Sequence, residues 1–293
     1  MHLGQISQLR SFNRAITRRI GALGNRFVGR DRPMAESRML YEIGQQGQEV
    51  RRLRQRMALD SGYASRLLRA LEHQGLITVA PLPEDRRARF ASLTDAGRRE
   101  LAETDRAADD AVADILAPLD PGRRARLTGV LAEAERLIEA SAVTFETVAP
   151  TSREVAACLE HYYDELDRHF ATGFIPPPSV AEEIAGLTPP SGWILLARLY
   201  DEPVGCGTLT AQADFGEIKR VWIAERLRGL GLSRRLLAEL ENVACVAGFS
   251  RLRLDTNESL AEAQALYRSS GYHEIARFND NPYAHHWFEK RLT

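Results

Sequence analysis

The stretch "GEIKRVWIAERLRGLGLSRRLLAELENVA" (residues 216–244) constrains the fold more than any other part of the chain. A strand-like run ends near Ile223, three small residues (Gly229, Gly231, Ser233) follow within five positions, and a leucine-rich helical pattern begins at once. A strand, a side-chain-poor loop and a helix in direct succession belong to a mixed α/β sheet. A helix start carries unpaired backbone N–H groups and a partial positive charge. Stripping side chains from the approach lets a phosphate reach those groups. The plainer alternative is a turn capped by Ser233, so the flanking sequence has to decide.

The flanks alternate cleanly. Strands are expected at 193–199, 204–211 and 216–223, with a turn at Glu202-Pro203, then a helix over 231–247. A strand at 251–256, a helix at 260–270 and closing strands near 272–278 and 284–291 complete the pattern. A dinucleotide site would need a third glycine where Arg234 stands, and a Walker loop would need a lysine that is absent. The run Arg228-Gly229-Leu230-Gly231-Leu232-Ser233 instead resembles the acyl-CoA loop of the GNAT N-acetyltransferases, Arg/Gln-x-x-Gly-x-Gly/Ala, with serine at its last position. "GEIKRVWI" looks like that family's fourth strand, and "DTNESLAEAQALYRSSGY" like its later Asn…Leu-Tyr-x-x-x-Gly-aromatic motif.

The resemblance covers about residues 147–293 and implies acetyl-CoA as co-substrate and a small amine as acceptor, for which a carboxylate-binding Arg168 would point to an amino-acid-like one. The backbone of Val221, Trp222 and Ile223 would line up with the pantetheine arm, and the N–H groups of residues 228–234 would hold the pyrophosphate. Arg228 and Arg234 would add charge there, and Asn257 would bind further along the cofactor. Acetyl transfer needs an amine to lose a proton, an oxyanion to be stabilised and a thiolate to be protonated. Glu217 falls where some members carry the base, its alternative being a salt bridge to Lys219 or an arginine. Tyr267 matches the acid, its alternative being a core aromatic, and a backbone N–H of "GEIKRVWI" would serve the oxyanion. Tyr163, Arg168, Phe170 and Phe174 are candidates for the acceptor wall, opposite "FNDNPYAHHWFEK", with Arg168 placed to receive a carboxylate.

Net charge is −1, but it is unevenly spread. Residues 1–99 hold 19 arginines and no lysine against 9 acidic residues, whereas residues 143–293 hold 15 basic and 21 acidic ones. The basic half is suited to a polyanion. It reads as helices over 8–28, 33–46, 48–57 and 62–74, the last capped by Asp60 or Ser61, followed by two short strands around a Pro/Asp/Arg loop. "LDSGYASRLLRALEHQGLI", "EDRRARFASLT" and "DAGRRE" resemble the MarR family of winged-helix regulators, over roughly residues 5–142.

In that reading Ser61, Tyr63, Ser65, Arg66 and Arg69 face operator DNA from the second helix, while Arg86, Arg87 and Arg89 reach it from the wing. Asp85 would orient a wing arginine. The apolar stripes of the flanking helices, 8–28 and 95–140, are expected to form a homodimer, with packing against the second domain as the alternative.

The expected architecture is therefore two domains. Residues 1–142 form a mainly α winged helix-turn-helix, and residues 143–293 an α/β mixed-sheet GNAT acyl-CoA N-acyltransferase fold. Cys158, Cys206 and Cys245 are scattered, and neither His161/His169 nor His285/His286 has a third ligand at metal spacing, so no metal is expected. No apolar run reaches bilayer length, the N-terminus lacks a signal-peptide core and the three cysteines read as idle thiols of a reducing compartment, so a cytoplasmic protein without a membrane partner is expected.

Overall fold

The computed structural model describes residues 3–19, 32–82, 88–170, 173–176 and 180–292. The chain divides into two compact units, Met1–Ala132 and Glu133–Thr293.

The first unit runs α1 (Leu3–Arg19), α2 (Met34–Ile43), β1 (Gln48–Glu49), α3 (Val50–Arg56), α4 (Ser61–His73), β2 (Ile77–Pro81), β3 (Arg89–Leu93) and α5 (Asp95–Leu116), then enters α6 (Pro121–Ala142). Its three strands pair in the order β1-β3-β2. Asp60 caps α4 by accepting from the Tyr63 N–H at 2.9 Å, and Ala64, Leu67, Leu68 and Leu71 turn inward at helical spacing. The three leucines pack with Met39, Leu40, Ile43 and Leu53. Thr94 caps α5 while its hydroxyl donates to the Gly75 carbonyl. Gly97 in that first turn lies so close to β2 that a Cβ would sit 1.9 Å from the Leu76 carbonyl oxygen. This contact ties α5 to the α4–β2 turn.

Three sequence expectations shift here. Gln48 and Glu49 pair with Phe90 and Ala91 as a strand, so the helix expected over 48–57 begins only at Val50. The pattern read as one helix over 95–140 is two, broken at 117–120. Pro118 has no N–H for the helix ladder, and Asp120 caps the restart by accepting from the Arg123 N–H. The helix expected over 8–28 spans Leu3–Arg19, its remaining residues lying outside those described.

The second unit contains β4 (Val143–Val148), α7 (Arg153–His169), α8 (Val180–Ala185), β5 (Gly192–Leu199), β6 (Glu202–Ala211), β7 (Gly216–Ile223), α9 (Leu232–Val246), β8 (Arg251–Thr256), α10 (Ala261–Ser269), β9 (His273–Ile275) and β10 (His286–Arg291). The seven strands lie in the order β4-β5-β6-β7-β8-β10-β9. Period-two alternation in β5 sends Leu195 and Ala197 to the α9 side, and Ile194 and Leu196 to the α7 side. Burial on both faces explains why this strand reads as an unbroken apolar run. The turn expected at Glu202-Pro203 falls at Tyr200–Asp201 instead. Pro203 lies inside β6, where a register shift between Ala197 and Arg198 accommodates its missing donor.

Position in the fold matters most for β7. It is antiparallel to β6 along its length, but parallel to β8 at only two positions, Gly216↔Leu252 and Glu217↔Arg253. A bulge opposite Cys206–Thr208, with Arg220 at φ +56°, bends β7 at the place where it leaves β8. The sheet therefore splits between β7 and β8.

Candidate functional site

Two cavities open at this split. One, of about 390 Å³, is lined by Tyr162, Glu165, Leu166 and His169 of α7, the end of β7 (Val221, Trp222, Ile223), Arg228, Gly229, Ser233, and residues of the 259–267 segment including Tyr267. The other, of about 520 Å³, is lined by Tyr163, Phe170, Phe174, Lys219, Arg220, Asp255, Asn257, Asn279, Asn281 and Tyr283, among others. They share Tyr162, Leu166 and Leu260.

The glycine loop forms one wall of the first cavity. Gly229 and Gly231 have φ of +75° and +79°, and a Cβ on either would meet nothing within 4 Å. Glycine is needed here for its left-handed backbone, and the space above the loop stays open. Gly231 is the N-cap of α9, with no side-chain cap bond, so Ser233 does not cap the helix. Arg235 is the first residue whose N–H closes back, onto the Gly231 carbonyl at 3.1 Å. The N–H groups of residues 232–234 are thus the orphan donors of a helix start, which suits a phosphate. The N–H of Arg228 is committed to the Glu225 carbonyl at 3.1 Å, so the donor set expected over 228–234 begins one residue later.

Arg228 reaches across the groove. Its Nε donates to the Ile223 carbonyl at 2.9 Å, and its Nη2 pairs with Glu165, which also accepts from Trp222 Nε1 at 2.8 Å. Burial alone would raise the Glu165 pKa, but the hydrogen bonds from Arg228 and Trp222 hold it below the usual glutamate range. Arg234 points away, bonding Ser269 at 2.9 Å. Asn257 lines the second cavity rather than the first, donating to the Tyr283 carbonyl at 2.7 Å and accepting from the Ser259 N–H.

Tyr267 lines the first cavity with its ring packed between Tyr272 and Phe288. Burial, and then the Asp255 carboxylate, push its pKa up, so the phenol is protonated throughout the physiological range. Glu217 is buried and lines neither cavity. It accepts from Gln212 Nε2 (2.9 Å) and Asn279 Nδ2 (3.1 Å), and pairs with Lys219 (3.1 Å). Asn279 also donates to Asp255 at 2.6 Å, which links the two carboxylates.

Among the acceptor candidates, Tyr163, Phe170 and Phe174 meet in the second cavity. Arg168 does not. It is exposed and bonds the Asp164 carbonyl of its own helix, and the cations in that cavity are Lys219 and Arg220. Sequence reasoning passed over Glu165, Asp255, Asn279 and Asn281. Helical spacing of Tyr162, Glu165, Leu166 and His169 puts them on one face of α7, but only the packed sheet shows what that face meets.

In the first unit, Ser61, Tyr63, Ser65, Arg66 and Arg69 are exposed on α4, with Arg66 over the Tyr63 ring at 5.5 Å. Arg89 is exposed on β3, while Asp85, Arg86 and Arg87 lie outside the described residues. Among the described residues no helix is long and apolar enough to cross a membrane, and no group of three or more metal-ligating side chains is found.

Known proteins match both units. The "Acetyltransferase (GNAT) family" matches residues 157–272, and the "MarR family" residues 34–88. An IAA acetyltransferase of Azospirillum brasilense is 32% identical over 138 residues, covering 46% of this chain and 88% of the relative. Among solved structures, a candidate acyl-CoA N-acyltransferase from Klebsiella pneumoniae is 31% identical at a TM-score of 0.41, over 52% of this chain and 98% of that one. A GNAT family acetyltransferase from Elizabethkingia anophelis, solved with acetyl-CoA bound, is 18% identical at a TM-score of 0.39, over 52% of this chain and 99% of that one. With a match spanning nearly the whole of a curated relative, and a MarR-family region ahead of it, the chain belongs to the GNAT acetyltransferase family and is an N-acetyltransferase.

Proposed function

We propose that the protein transfers the acetyl group of acetyl-CoA to a small amine, and that its N-terminal unit binds operator DNA as a homodimer in the cytoplasm. The observation that carries the first half is the pair of cavities meeting where β7 leaves β8, Tyr267 lining one and Asp255 the other. Acetyl-CoA supplies the thioester. The N–H groups of residues 229–234 would hold its phosphates, with the Arg228 guanidinium, bound to Glu165 and the Ile223 carbonyl, adding charge nearby, and the edge of β7 over Val221–Ile223 that no described strand pairs would hold its arm. A β7 backbone N–H would stabilise the oxyanion. Tyr267, kept protonated, would donate to the departing thiolate. Removal of the amine proton would fall to Asp255, which lines the cavity, with Glu217 linked to it only through Asn279.

The DNA reading is supported by the exposed face of α4 and the arginine excess of the first 99 residues. The dimer is supported by exposed Leu3, Ile6, Leu9 and Phe12 on α1, and Val130, Leu131, Leu137 and Ile138 on α6. A sensor role for the C-terminal unit, without turnover, is favoured by one observation. Arg136 of α6 donates to the Arg228 carbonyl (2.9 Å), and Arg235 of α9 to the Ala140 and Val143 carbonyls (2.8 Å each). Loop, α9 and the end of α6 are thus hydrogen-bonded together.

Thiol release from acetyl-CoA by the full-length protein, against pools of amines, tests the enzyme. Binding of acetyl-CoA with no release from any pool, alongside a change in DNA affinity, would favour the sensor. DNA binding undiminished by joint Arg66→Ala, Arg69→Ala and Arg87→Ala changes would refute the groove assignment.

A further inference from the structure

A carboxylate facing a walled cavity needs both donors and a counter-charge to be stable there. Asp255 has the donors. Its Oδ1 accepts from Asn281 Nδ2 at 2.7 Å and its Oδ2 from Asn279 Nδ2 at 2.6 Å. Each carboxylate oxygen has about two acceptor sites, so one on each stays open. The two neutral amides fix the orientation of the charge without offsetting it. Among the described residues no cation pairs with Asp255. Continuing the parallel register beyond Glu217↔Arg253 puts Lys219 opposite it across the split, but Lys219 is paired with Glu217 at 3.1 Å, and Arg220, the other cation on the cavity among the described residues, donates to Tyr163 Oη at 3.2 Å and Thr208 Oγ1 at 3.3 Å. The other acidic side chain on the cavity, Asp280, is paired with Arg277 at 2.9 Å.

The remaining walls are aromatic. Tyr163 and Phe174 stack at 5.4 Å between ring centroids and 15°, Phe174 and Tyr283 lie 4.9 Å apart, and Phe170 stacks on Tyr283 at 5.6 Å. Such walls suit a flat ring, and they strengthen a cation held beside them. A polyamine would call for several uncompensated carboxylates, and among the described residues this cavity offers one.

Resting on the acetyl-transfer reading above, we propose that the acceptor is an aromatic primary amine, its ammonium anchored by Asp255 and its ring held among Phe170, Phe174 and Tyr283. Glu217, sealed behind Asn279, is then a positioning residue that holds this amide against Asp255.

The test is calorimetric titration of the full-length protein, with CoA present, using phenethylamine, 2-phenylethanol and 1,4-diaminobutane as probes. Phenethylamine should bind, and the alcohol and the diamine should bind about tenfold or more weakly, the worth of a lost charge contact or a lost ring. Asp255→Asn should raise the phenethylamine Kd on the order of 30-fold or more, with unchanged Tm and CoA affinity. Equal binding of alcohol and amine, no binding of phenethylamine, or full affinity in a folded Asp255→Asn protein would each overturn the proposal. If that variant fails to fold, the amine–alcohol comparison on the unaltered protein still decides. Asp255-dependent amine binding without thiol release from acetyl-CoA would refute acetyl transfer and leave this site standing. Release with aliphatic amines alone would do the reverse.

Discussion

Tyr267→Phe separates chemistry from packing because it removes one hydroxyl and leaves the ring. That ring is 7% exposed and lies 6.0 Å from Tyr272 and 5.8 Å from Phe288, contacts that phenylalanine keeps. The hydroxyl has no protein hydrogen-bond partner among the described residues, so its loss should change stability by less than about 1 kcal/mol. Loss of a general acid should instead lower kcat by roughly 10²–10³, equivalent to about 2.7–4 kcal/mol of barrier. The assay is thiol release at saturating amine, beside calorimetric acetyl-CoA binding and Tm. A kcat within about threefold of the unaltered protein, with Tm unchanged, would refute the acid role, since positioned proton transfer is worth far more. The pH profile gives a second check. Burial and Asp255 push the phenol pKa above its usual value, so kcat should show no alkaline fall from this group below about pH 10.

Gly231→Ala should cost about 1–2 kcal/mol in thermal unfolding through its φ of +79° alone, because the added Cβ meets nothing. Gly97→Ala should cost about 1–3 kcal/mol or more through collision with the Leu76 carbonyl, and scanning calorimetry ranks the two. Arg66→Ala with Arg69→Ala should leave Tm unchanged, both side chains being exposed, and should reduce the salt dependence of DNA binding by a slope of about 1–2 in a fluorescence titration. Tyr162, Tyr267 and Tyr272 all have pKa values raised by burial first. The neutral forms favour the fold, so this stability is fully present below about pH 10 and is lost as pH rises above it, which alkaline denaturation with tyrosinate absorbance would follow. Glu165 behaves oppositely. Its lowered pKa contributes stability above its ordinary range near 4.5 that is lost as acid protonates it, and Glu165→Gln should flatten that part of the acid-unfolding curve.

Local chemistry made much of this protein legible from sequence. An apolar run for β5, a mixed apolar run for β7 and period-two alternation for β8, each bounded by turn residues, place these strands within a residue or two. The Asp60 cap and the leucines at 67, 68 and 71 place α4, and Gly229 and Gly231 mark a left-handed loop at a helix start. These are features of neighbours in the chain, which is why they can be read along it. The matched families cover the same two stretches.

The site was less legible because its decisive feature is a pairing that stops. β7 and β8 are separated by a whole helix, and nothing within either strand announces that their ladder ends after two positions. That ending leaves Glu217 sealed in the paired region and Asp255 facing a cavity, although both are carboxylates on strands of similar pattern. The same non-local packing takes Arg168 out of the acceptor wall and Asn257 away from the first cavity. It also joins Glu165 to Arg228, 63 residues later. Sequence by itself determined most of the strands and helices and the left-handed glycine loop at a helix start, since backbone preference and side-chain periodicity act over a few residues. Tertiary structure alone decided which carboxylate lines a cavity, since a side chain's electrostatic neighbours come from wherever the sheet opens.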